Sequence, residues 1–211
     1  MITIHKYETA SMGENTYALV NDQGEALIVD PGDLGVVDWI GSLDIQPQAI
    51  ILTHAHSDHI EGLDAVRDAY DIPAYIHPIE EKFVEDPRLN LSAYMPGTPV
   101  ANRPIDHTWE AMGPISLAGF NFRMAHVPGH SPGSVVYIFD DEDFAIVGDT
   151  VFQGSIGRTD FPGGSYDQLM NGIQQEIMTL PDHYTLYPGH GPATTVQVEK
   201  TQNPFILGLI R

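Results

Sequence analysis

His54, His56, Asp58 and His59 fall within six positions of the stretch "LTHAHSDHIEG" (52–62). Imidazole and carboxylate are donors that zinc, iron and manganese accept, so a run this dense points to metal chemistry. His54 and His56, two apart, can both point at one cation, while Asp58 and His59 turn toward a second position. Three more residues, each in a glycine-rich turn, extend the pattern: His130 in "HVPGHSPGS", Asp149 in "IVGDTVF" and His190 in "YPGHGP". Glycine lets the backbone approach closely and take positive φ there. A catalytic centre of such donors keeps a coordination position open to water. Metal coordination brings the pKa of that water from about 15.7 to about 7, which makes a hydroxide nucleophile at neutral pH. The chain has no cysteine, so thiolate nucleophiles, Cys-ligated metal and disulfides are all excluded.

These donors need elements to carry them. The apolar run "AIILT" (49–53) reads as a buried strand and "IEGLDAVRDAY" (60–70) as a helix, which puts the histidines at the carboxyl end of a strand. "ITIHKY", "TYALVN" and "ALIVDPG" read as strands, with "NDQG" (21–24) turning the second into the third. "LGVVDWIGSL" (34–43) has helical spacing and "AYIH" (74–77) is a short strand. Residues 86–114, proline-rich and without periodicity, read as a long surface excursion, either a lid or a decorated loop, with Tyr94 and Met95 expected to pack. The second half repeats the theme: a hairpin in "ISLAGFNFRMAHV", strands "SVVYIFD" and "DFAIVGD" around an acidic turn, a helix over 166–180, and strand "YTLYPGH" (184–190). Ser165 with Gln168 makes a capping box for that helix. Two echoing strand–helix halves predict an α/β fold, a four-layer αββα sandwich, within a single domain over residues 1–211.

Composition narrows the function. Nine Lys+Arg against 29 Asp+Glu give a formal charge of −20, a field that repels phosphate backbones and anionic lipid. Nucleic acid and membranes are therefore not expected as partners. No apolar run approaches the ~20 residues of a membrane span, and the start "MITIHKYETAS" lacks a leader's features. A cytoplasmic enzyme is the expectation.

The chain resembles the metallo-β-lactamase superfamily through "THAHSDH", "PGHSPGS", "GDTVF", "PGHG" and the strand ending "IVDPG" (28–32). The resemblance implies the sandwich of that family and a binuclear metal site. It places His54, His56 and His130 on the first metal, Asp58, His59 and His190 on the second, and Asp149 between them. Asp30 would orient a ligand histidine. Zinc is the first choice of metal, with iron or manganese as alternatives. "GDTVFQGSIGRTDFPGGS" (148–165) and "YPGHGPATTVQVEKTQNPF" (187–205) are similar to compact bacterial glyoxalase II-like proteins, which hydrolyse S-acyl thioesters such as S-lactoylglutathione. That implies a small-molecule thioester substrate attacked by a metal-bound hydroxide, with Asp58 as the catalytic residue that orients it and takes its proton. The chain ends soon after "NPF", without the helical domain that shapes the glutathione pocket in full-length glyoxalase II, so the acyl group and thiol carrier stay open.

Arg158 is the cation nearest Asp149 in the "GSIGRTD" loop; it would meet a substrate carboxylate or pair with Asp160. His126 is a candidate to support the ligands, whereas His5, His77, His107 and His183 read as ordinary histidines. One rival activity shares the "GRTDF" signature (157–161): a persulfide dioxygenase, with a single non-haem iron on residues matching His54, His130 and Asp149.

Overall fold

The computed structural model describes residues 1–208. The chain divides into two compact units, Met1–Glu110 with Ser116–Phe120, and Ala111–Ile115 with Asn121 onward.

The first unit holds β1 (Thr3–Glu8), β2 (Asn15–Val20), β3 (Glu25–Val29), α1 (Val36–Ser42), β4 (Gln46–Ile51), α2 (Ser57–Ile60), α3 (Leu63–Tyr70), β5 (Ala74–Ile76) and β6 (His107–Thr108). Its six strands lie in sequence order, antiparallel from β1 to β3 and parallel from β3 to β6. The turn at 21–24 closes because the Asn21 side-chain carbonyl accepts from the Gln23 and Glu25 amides and Gly24 takes a φ of 79°. Ala18, Val20, Ala26, Ile28, Ile50 and Leu52 pack against Val36 and Ile40 of α1 and Leu63 and Val66 of α3. The alternate residues Tyr17, Leu19, Leu27, Val29 and Ile51 are buried as well, so both faces of the sheet are covered.

Three details depart from the sequence reading. β4 begins at Gln46, where polar residues pair with β3 and carry no apolar signature, and it ends at Ile51. A short helix already starts at Ser57, so Asp58 and His59 stand in its single turn. The excursion over 86–114 is not wholly superficial: Asn90, Leu91, Ser92 and Trp109 are buried, and β6 within it pairs with β5. Hydrogen bonds between side chains and backbone hold it, and these leave no periodicity. Tyr94 and Met95, in contrast, are 70% and 43% exposed and stay outside the core.

The remaining elements, which belong to the second unit apart from Ser116–Phe120 around the β7–β8 turn, are β7 (Gly113–Leu117), β8 (Phe120–His126), β9 (Val135–Phe139), β10 (Phe144–Gly148), a small hairpin of β11 (Val151–Phe152) and β12 (Ser155–Ile156), α4 (Tyr166–Gly172), β13 (Thr185–Pro188), β14 (Thr194–Thr195), α5 (Val196–Gln202) and α6 (Pro204–Leu207). Their six-stranded sheet runs β14-β13-β10-β9-β8-β7. Val136, Ile138, Ala145, Val147 and Leu186 from the strands pack with Leu169, Met170, Val196 and Ile206 from the helices. The Ser165 hydroxyl accepts from the Gln168 amide at 3.3 Å and caps α4, which continues through a wider turn over Ile173–Ile177. Thr195 and Asn203 cap α5 and α6 in the same way, on Val198 and Phe205. Among the described residues, no helix is long and apolar enough to cross a membrane.

Candidate functional site

In the first unit, the parallel strands β3 and β4 deliver Asp30 and Thr53–His54 side by side. Asp30 leaves β3 in a left-handed conformation, φ 48°, which Asp tolerates better than most residues. One of its carboxylate oxygens accepts from the Thr53 amide at 2.8 Å; the other accepts from the Thr53 hydroxyl at 2.6 Å and lies 3.0 Å from His59 Nδ1. Because the Thr53 hydroxyl donates to Asp30, it accepts from His54 Nδ1, 3.1 Å away. His54 and His59 are thus both held in the tautomer that keeps the Nε2 lone pair for a metal. Asp30, His54 and His59 could together hold an ion by proximity. Three hydrogen bonds already engage the Asp30 carboxylate, which fits an orienting role better than ligation. The His54 ring centroid lies 4.7 Å from that of His56 and 4.1 Å from that of His59, and Asp58 Oδ2 is 3.9 Å from His59 Nε2.

Glu14 was not picked out in the sequence. It is fully buried, with Oε2 3.0 Å from the Thr16 hydroxyl and Oε1 3.8 Å from His59 Nδ1. Burial pushes its carboxyl well above the usual carboxylate range. A side chain at Gly32 would collide with the Glu14 carboxylate and the Asp58 carbonyl, so a glycine stands there. "GENTY" (13–17) offers no local cue to any of this, since the partners lie far off in sequence.

In the second unit, His130, Asp149 and His190 leave the ends of β8, β10 and β13. Asp149 Oδ2 lies 3.4 Å from His130 Nε2 and 3.5 Å from His190 Nε2, so one carboxylate oxygen is flanked by two imidazoles. His130 Nδ1 donates to the Arg158 carbonyl at 2.9 Å, which again fixes Nε2 as the coordinating nitrogen. A Cβ at Gly157 would strike the Asp149 carbonyl, which explains glycine at that turn. The Arg158 guanidinium, 60% exposed, makes a two-pronged pair with Asp160 at 2.7 and 2.8 Å and stacks 4.1 Å over the Phe161 ring. That pairing holds the Asp160 carboxyl at about 2. In this conformation Arg158 contributes its carbonyl to His130 and its charge to its own loop.

The loop is anchored from behind by residues whose role the sequence did not reveal. Buried Glu199 accepts from the Gly154 amide at 3.0 Å, the Thr194 hydroxyl at 2.5 Å and the Asn203 amide group at 2.7 Å. Asn203 also donates to the Ser155 carbonyl at 2.9 Å. His126 Nε2 lies 2.8 Å from the Pro132 carbonyl, across the loop that carries His130. His77 is buried but caps a local turn through the Ile79 amide.

The first unit therefore supplies three imidazoles and Asp58, and the second supplies two imidazoles and one carboxylate. Borderline nitrogen and hard oxygen donors without sulfur suit zinc, iron or manganese.

The model of the metallo-beta-lactamase superfamily matches residues 12–190. The probable metallo-hydrolase YqgX of Bacillus subtilis is 44% identical over 92% of both chains. The hydroxyacylglutathione hydrolase GloC of Haemophilus influenzae is 34% identical, also over 92% of both. The crystal structure of the BLEG-1 B3 metallo-beta-lactamase superposes with a TM-score of 0.93 at 41% identity, covering 97% of this chain and 99% of that one.

Proposed function

Since the chain belongs to the metallo-beta-lactamase superfamily, we propose that it is a metal-dependent hydrolase of S-acyl thioesters resembling S-lactoylglutathione. The observation that carries this reading is Asp149 Oδ2, set between the Nε2 atoms of His130 and His190 at 3.4 and 3.5 Å. A carboxylate flanked in this way can be shared by two cations. In this reading His54, His56 and His130 would hold one divalent metal, Asp58, His59 and His190 another, and Asp149 would be available to both. Bound there, such ions would supply a water with a pKa of about 7 and a Lewis acid for the carbonyl.

The chain's own residues do the rest. Asp58 orients the attacking water and takes its proton. The acyl carbon gains the water oxygen, the carbon–sulfur bond breaks, and the proton leaves with the thiol. Asp30 and Thr53 hold the rings of His59 and His54 through Nδ1, and the Arg158 carbonyl does the same for His130. Arg158 would reach a substrate carboxylate only by leaving Asp160. The 34% identical hydroxyacylglutathione hydrolase supports the thioester class. The acidic surface supports a small diffusible substrate rather than nucleic acid or membrane, and we place the reaction in the cytoplasm with zinc as the first choice of metal.

A second reading, β-lactam hydrolysis, draws on the 41% identity to the B3 enzyme. Rates on S-lactoylglutathione, its oxygen-ester counterpart and a β-lactam, measured without oxygen on one metal-loaded sample, separate the two. Thioester cleavage well above the others is expected. A β-lactam rate matching the thioester rate would favour the second reading. Equal rates on the oxygen ester would remove the case for a thiol leaving group.

A further inference from the structure

The ligand-bearing turn of the first unit lies between the end of β4 at Ile51 and the start of α2 at Ser57. The Leu52 amide still donates to the Tyr75 carbonyl of β5, but the backbone beyond it has left the ladder, and a buried amide left without an acceptor costs about 1–3 kcal/mol. The Thr53 amide turns to Asp30, and three further partners come from a single later segment. The fully buried Glu80 carboxylate accepts from the Ala55 amide at 2.6 Å. The Asn90 carbonyl accepts from the Ser57 amide at 2.9 Å, and the Asn102 side chain donates to the Ile60 carbonyl at 3.0 Å. The contacts at Ala55 and Ser57 interleave with His54, His56 and Asp58, and that at Ile60 follows His59 directly.

The segment is itself braced. Asn90 donates to the Phe83 and Val100 carbonyls at 3.0 and 2.9 Å and accepts from the Ser92 amide and hydroxyl at 3.1 and 2.7 Å. A carboxylate acceptor makes a shorter and stronger bond than a neutral one. Burying a carboxylate is costly unless it is hydrogen-bonded, because a charged group loses its hydration there, and the Ala55 amide supplies one such bond.

We propose that residues 78–102 form an internal clamp that fixes the ligand-bearing turn, with Glu80 as the positioning residue for His54 and His56. The clamp rests on the metal reading of those histidines. It acts on the backbone from beneath, so its effect falls on metal affinity before it falls on any substrate.

Glu80→Leu removes the acceptor and Glu80→Gln keeps one. Two readouts test the clamp: amide hydrogen exchange at Ala55 and Ser57 in the metal-free protein, and zinc affinity by competition with a chelator. Glu80→Leu should lose protection at Ala55 and bind zinc ~10–100-fold more weakly, the range for removing an outer partner of a ligand. Glu80→Gln should restore both. Should Glu80→Leu fail to fold, Asn102→Ala carries the test and should weaken zinc in the same direction. A folded Glu80→Leu or Asn102→Ala variant with wild-type exchange and wild-type zinc affinity overturns the clamp. Failure of the metal reading shows separately, as a wild type that takes up no zinc.

Discussion

At the scale of the residue, the histidines and aspartates of the candidate centre were legible because their chemistry is written in residue type and in their place at strand ends. The carboxylates that serve them were not. The motif around Asp30 pointed to that residue, but Glu14, Glu80 and Glu199 act on partners far away in sequence and stand in no local pattern. Glu14 allows a direct check. Its folded-state pKa lies well above the ordinary 4.5 because burial disfavours the charged form. The native state therefore keeps a proton that the unfolded chain releases, and stability falls as pH rises from about 4.5 until the folded pKa is passed. In the metal-free protein, Glu14→Gln should remove this decline and gain on the wild type across that window. Denaturant unfolding of both proteins over a pH series measures it; parallel curves would contradict the assignment.

At the scale of the element, hydrophobic alternation and turn residues gave most strands and the helices α1, α3 and α4. Polar or very short elements escaped. The first residues of β4 and the whole of β6 pair without an apolar signature, β11, β12 and α6 are too short to show periodicity, and α5 (VQVEKTQ) carries only two apolar residues. The caps of α5 and α6 were nonetheless present, as Thr195 before Val196 and Asn203 before Pro204. Asn203 links α6 to β12 through the Ser155 carbonyl, and β12 leads on to Arg158, whose carbonyl holds His130. Asn203→Ala removes a cap and leaves the buried Glu199 carboxylate short of a donor. It should cost about 1–3 kcal/mol, read as a lower Tm. An unchanged Tm would show that the network does not support the loop.

At the scale of the whole molecule, the α/β class and the superfamily followed from motif order, with each unit contributing a six-stranded sheet and its own core. The formal charge of −20 is a property of the entire surface and bears on substrate encounter. An anionic thioester meets a repulsive field that salt screens over ~10 Å at about 0.1 M ionic strength. For S-lactoylglutathione, kcat/KM should rise as ionic strength increases, while an uncharged thioester should show no such trend. A fall with salt would reveal local attraction strong enough to outweigh the net charge.

Under the proposed function, two divalent ions on these donors would make the chain a thioester hydrolase. Adding zinc stepwise to metal-free protein without oxygen, while following S-lactoylglutathione, tests it most directly. Hydrolysis should grow with zinc and level off at about two ions per chain. No hydrolysis at any zinc loading, together with oxygen uptake on glutathione persulfide by protein holding about one iron per chain, would contradict it.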